Sequence, residues 1–91
     1  MVKPTIREKH RYILFVGNCS NIFEKIKSMF EYEFYKVNPK CIAIIDGYCI
    51  VRINRDFYYL IRKKFKDKIL LSSGTIKSLK EKAKYHYGID S

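Results

Sequence analysis

Apolar positions recur with two different periods along this chain, and each change of period marks an element. Arg11 to Val16 (RYILFV) is nearly continuous in apolar and β-favouring residues, which predicts a strand ended by Gly17. Past it the period lengthens. Ile22, Ile26, Met29, Phe30 and Phe34 fall at helical spacing and define one buried stripe. Asn21 with Glu24 reads as a capping box, so the predicted helix opens there and runs to about Tyr35. Asn38-Pro39 resets the chain. Ahead of the first strand, Thr5 with Glu8 fits another capping box and predicts one helical turn.

Period 2 returns at Cys41–Ile45 and Tyr48–Ile53, joined by Asp46-Gly47, a strong two-residue hairpin signal. A tight loop sets Ile45 against Tyr48, Ile44 against Cys49 and Cys41 against Arg52. One face then carries Ile42, Ile44, Cys49, Val51 and Ile53. The other carries Cys41, Ala43, Ile45, Tyr48, Ile50 and Arg52, again mostly apolar. A sheet apolar on both faces needs cover on both sides.

Helical spacing resumes from about Arg55, with Phe57, Leu60, Ile61 and Phe65 predicted inward and Arg62, Lys63, Lys64 and Lys66 at the end that favours cations. Ile69–Leu71 is a short fourth strand. A last helix runs from Ile76 to about His86 and is closed by Gly88. The order is β-α-β-β-α-β plus a C-terminal helix, without repeat or linker. This predicts one α+β domain over residues 1–91, a ferredoxin-like, RNA-recognition-like α-β sandwich with an antiparallel sheet.

Charge narrows the partners. Nineteen Lys and Arg against nine Asp and Glu leave a net charge of +10 in 91 residues, with a pI near 9.6. Self-repulsion of that kind persists where a polyanion neutralises it. A thermophile's surface raises Lys and Glu together, and so accounts for only part of this excess. The longest apolar runs, such as Ile42–Ile45, are too short to span a bilayer, and Met1-Val2-Lys3-Pro4 leads into no apolar stretch of a signal peptide. A cytoplasmic protein facing nucleic acid, with no membrane partner, is the expectation.

Catalytic signatures are missing. The acids are scattered, and neither a G-x-x-x-x-G-K loop nor a G-x-S-x-G elbow occurs. Asp46 has turn geometry to serve. His10 sits in a basic stretch and His86 near a helix end, where surface or capping roles suffice. Cys19, Cys41 and Cys49 contain no C-x-x-C, so no metal or cofactor is expected on the chain itself. The odd count predicts free thiols, with Cys41 and Cys49 buried and on opposite sheet faces.

Two basic clusters remain. Lys3, Arg7, Lys9 and Arg11, less Glu8, give +3 over the first eleven residues. The second is the last helix with the turn before it. Lys77, Lys80 and Lys84 lie at i, i+3 and i+7 and form a ridge. Ser73, Gly74 and Thr75 stand where the free N–H groups of a helix start can meet a phosphate. The same residues fit a plain N-cap beside a solvated lysine face, and the two readings are compatible. The candidate RNA-binding residues are thus Arg7, Lys9, Arg11, Ser73, Gly74, Thr75, Lys77, Lys80 and Lys84. Most of the Phe residues fall on buried stripes, whereas Tyr48, Tyr58, Tyr59, Tyr85 and Tyr87 are open between core, partner and solvent roles.

Three blocks carry a family resemblance. Pro4-Thr5-Ile6-Arg7-Glu8-Lys9-His10-Arg11-Tyr12-Ile13-Leu14-Phe15, Val51-Arg52-Ile53-Asn54-Arg55-Asp56-Phe57 and Ser73-Gly74-Thr75-Ile76-Lys77-Ser78-Leu79-Lys80 resemble, in that order, archaeal ribonuclease P protein component 2. The resemblance implies an RNA-recognition-like α-β sandwich in the ribonucleoprotein endoribonuclease that removes 5′ leaders from precursor tRNA. It implies that the RNA subunit with Mg2+ performs the hydrolysis, and that the chain itself is non-catalytic. The implied partners are ribonuclease P RNA, protein component 3 in a heterodimer or heterotetramer, and precursor tRNA through the holoenzyme. Two rival classes are a general RNA-binding or ribosome-associated module and a protein-only enzyme.

Overall fold

Alternation along β1 (His10–Val16) sends Ile13 and Phe15 to one side and Leu14 to the other, and all three are fully buried. The computed structural model describes residues 10–45 and 47–88. The Thr5–Glu8 turn and Asp46 therefore lie outside the described residues. β1 pairs antiparallel with β3 (Tyr48–Asn54) on one flank and with β4 (Ile69–Ser73) on the other, and β2 (Lys40–Ile45) completes the order β2-β3-β1-β4. The protein is α+β, with a four-stranded antiparallel sheet and helices on both of its faces.

On one face, Ile13, Phe15, Cys49, Val51 and Ile53 pack under Ile22 and Ile26 of α1 (Cys19–Met29) and Ile61 of α3 (Tyr58–Lys64). Phe65 meets Phe15 edge-on at 5.3 Å, a favoured aromatic geometry. On the other face, Leu14 and Ile50 pack beneath Leu79 and Ala83 of α4 (Ile76–Tyr87). Ala43, Ile45 and Tyr48 pack partly buried around this second cluster. The second cover demanded by the apolar sheet is thus the chain's own last helix.

Four expectations are corrected. The first helix opens three residues early, because Gly17 at φ +116° turns the chain at once and Asn18 becomes the cap. The Asn18 Oδ1 accepts the Ser20 N–H at 2.7 Å, which leaves Asn21 inside the helix. The same helix does not continue to Tyr35. It stops at Met29, and after a turn a short α2 (Phe34–Val37) carries Val37 into the core before Asn38 ends it at φ +47°.

Leu60 is not inward: it is 50% exposed, while Ile61 is fully buried. A 3-10 turn, Arg55–Phe57, precedes α3, and its three-residue period breaks the helical phase assumed from Phe57 onward.

The cysteines differ most. In β2 the register slips by one residue between Cys41 and Ala43, so Cys41 pairs with Val51 rather than Arg52. An extra residue flips everything beyond it to the opposite face. Cys41 thereby reaches the side on which α1 begins, and it forms a disulfide with Cys19 across a Cα separation of 6.6 Å. Only Cys49 is a free thiol, and it is buried.

Candidate nucleic-acid interface

β4 delivers the chain directly to the start of α4. Ser73 is the last residue of the strand and is 6% exposed, so it belongs to the sheet and not to an open loop. Gly74 is exposed, and a Cβ there would meet nothing within 4 Å. Thr75 has extended backbone (φ −134°, ψ 151°), and its Oγ1 accepts the Ser78 N–H at 3.2 Å. Thr75 is thus the helix cap. Leu79 and Ala83 pin one side of α4 to the sheet, and Lys77, Lys80 and Lys84 stand exposed away from it. The expected lysine ridge is present.

Arg11 sits elsewhere. Its guanidinium lies over the Tyr58 ring, 4.8 Å from the centroid, and Nη2 donates to the Ser72 Oγ at 3.3 Å. The Tyr58 hydroxyl and the same Ser72 Oγ are 2.6 Å apart. The Arg11 Nε is buried with no hydrogen-bond partner. These contacts tie β1, the start of α3 and the edge strand β4 into one corner.

That corner is one end of an open groove of about 820 Å3 between α3 and β4. Tyr59, Arg62, Lys63 and Lys66 line it with Arg11, and no carboxylate does so among the described residues. Tyr59 is 65% exposed, with the Lys63 Nζ 5.9 Å from its ring centroid. β4 lies at the edge of the sheet, so one row of its backbone N–H and C=O groups faces outward.

The candidate residues therefore divide. Lys77, Lys80, Lys84, Gly74 and Thr75 stay together on or before α4, Ser73 is buried behind them, and Arg11 joins the α3 groove. Arg7 and Lys9 lie outside the described residues. Along the sequence Arg62, Lys63 and Lys66 mark only a helix end that favours cations. The missing signal was the antiparallel pairing of β1 with β4, which sets Ser72 beside Ile13 and brings Arg11 to these cations.

Among the described residues, no group of three or more His, Cys, Asp or Glu side chains is placed to hold a metal ion. Burial pushes the Cys49 thiol pKa up, the opposite of what a reactive thiolate requires. No described helix is long and apolar enough to cross a membrane. No protein-family model, curated protein or solved structure matches this chain.

Proposed function

We propose that this chain is a non-catalytic, RNA-binding protein subunit of ribonuclease P, of the component 2 kind, working in the cytoplasm. With component 3 it would support the catalytic RNA in removing 5′ leaders from precursor tRNA, hydrolysis being left to the RNA and its Mg2+. The observation that carries the reading is the distribution of cations. Lys77, Lys80 and Lys84 stand clear of α4's buried side, and Arg11, Arg62, Lys63 and Lys66 line a groove to which no carboxylate contributes among the described residues. Such surfaces neutralise phosphates without reading a sequence. The three sequence blocks supply the particular particle.

The proposed fold family is ferredoxin-like and related to RNA-recognition domains. The strand order β4-β1-β3-β2, with every neighbour antiparallel, supports it. RNA-recognition sheets stack bases on an open face. Here α4 occupies the second face over Leu14 and Ile50, so the RNA contacts are assigned to helix α4, its approach turn and the outlying cations. Ile44 is 77% exposed on edge strand β2, next to the half-exposed Ile42. An apolar, unpaired edge is a liability unless covered, and we assign this edge to component 3.

The purified chain should bind ribonuclease P RNA with an affinity that falls steeply as salt rises, and should not cleave precursor tRNA alone. Cleavage by the chain without any RNA subunit would overturn the proposal, as would RNA affinity indifferent to salt.

A further inference from the structure

The groove beside α3 combines three features. Its cations come from two separate elements, with Arg11 on β1 and Arg62, Lys63 and Lys66 on or just beyond α3. Net attraction for an anion is therefore concentrated between walls instead of spread over a convex helix. Arg11 is held in place by Tyr58 and Ser72, so it loses little freedom when a ligand arrives. Tyr59 presents an aromatic ring to solvent beside these charges, without burial in either core.

We propose that the groove between α3 and the outer edge of β4 is a binding site for single-stranded RNA. Arg62, Lys63, Lys66 and Arg11 meet its phosphates, and a base stacks on Tyr59. Single-stranded RNA is the occupant because stacking on a side chain needs a base free of its helix, and the aromatic-plus-cation arrangement is sequence-tolerant. A duplex presents phosphates but no free base. β4 spans roughly 17 Å at the rise of a strand, enough for a short run of nucleotides. Its last residue runs directly into Gly74 and Thr75, which gives the strand a path from the groove toward the α4 lysines. This site rests on the RNA-binding reading above and adds to it the strandedness of the ligand and the side chains that take it.

The test is fluorescence anisotropy of the full chain with a labelled single-stranded RNA and with the matching duplex, over a series of salt concentrations. Arg62→Glu with Lys66→Glu should weaken single-strand binding about tenfold or more, and should reduce the salt slope by about 1.4 for two lost phosphate contacts. Lys25→Glu with Lys27→Glu, both exposed on α1, makes the same change in net charge and should cost less than about threefold once screening is established. Tyr59→Ala should weaken the single strand about tenfold and leave the duplex unchanged, whereas Tyr32→Ala, at an exposed ring outside the groove, should do neither. Equal losses for the groove and α1 reversals overturn the site while leaving RNA binding intact. So does a Tyr59→Ala effect that is the same on duplex, or displacement of the RNA by polyglutamate at matched charge, which would mark a site for acidic peptide. No RNA binding by the unaltered chain overturns the site and the RNA-binding reading together.

Discussion

The guanidinium of Arg11 lies over the ring of Tyr58, 4.8 Å from its centroid, and both side chains converge on the single hydroxyl of Ser72. A cation over an aromatic face contributes about 0.5–1 kcal/mol where exposed and more where water is excluded. Tyr58→Phe keeps the ring under Arg11 and removes only the hydroxyl contact, so it should cost about 1 kcal/mol in urea unfolding. Tyr58→Ala removes both and leaves Arg11 unsupported; it should cost about 2 kcal/mol or more. Equal costs for the two variants would mean that the ring contributes nothing.

Leu60 and Ile61 are neighbours in α3 with opposite environments, half-exposed and fully buried. Ile61→Ala should destabilise by about 2–5 kcal/mol, and Leu60→Ala by less than about 1 kcal/mol. A Leu60→Ala loss as large as that of Ile61→Ala would put both side chains in the core.

The periods of the chain reveal the elements but not where one period hands over to another. The strands around Leu14 and Ile50, the stripe through Ile22 and Ile26, and the last helix over Leu79 and Ala83 were legible because each keeps one period throughout. Errors gathered where it breaks. Gly17 shortened the approach to α1, the Arg55–Phe57 turn rotated α3 away from Leu60, and one extra residue near Ile42 moved Cys41 to the other face. The lysine ridge of α4 was legible for the same reason, since it lies on one helix. The α3 groove was not, because its cations meet only through the pairing of β1 with β4.

Thr75 caps α4 through the Ser78 N–H. Thr75→Ala should lower stability by about 1 kcal/mol, and Thr75→Ser should restore most of it by supplying the same acceptor. Thermal denaturation followed by circular dichroism reads both. Indifference to Thr75→Ala would deny the cap.

The disulfide between Cys19 and Cys41 closes a loop with a sequence separation of 22. Loop-closure entropy for such a span stabilises by about 3 kcal/mol, so reduction or Cys19→Ser should lower the unfolding midpoint in urea accordingly. Thiol titration of the oxidised, folded chain should find no reactive group, and one after denaturation, from buried Cys49. Two or more thiols in the native oxidised chain would contradict the pairing.

Burial raises the Cys49 pKa in the folded state. Above the ordinary thiol value of about 8.5, the unfolded chain loses this proton while the folded chain keeps it. Stability is therefore whole below that pH and falls as pH rises toward the folded value. Cys49→Ala should remove this part of the alkaline decline, read as unfolding free energy between neutral and alkaline pH. An unchanged slope would assign the decline to other groups.

Reconstitution reaches the central claim most directly. Precursor-tRNA cleavage should be measured at limiting Mg2+ with ribonuclease P RNA alone, with component 3 added, and with component 3 and this chain together. The account predicts that the pair raises the cleavage rate well above either other condition, and that Lys77→Glu with Lys80→Glu in this chain lowers it again. A rate no higher with the pair than with the RNA alone would contradict the assignment to ribonuclease P.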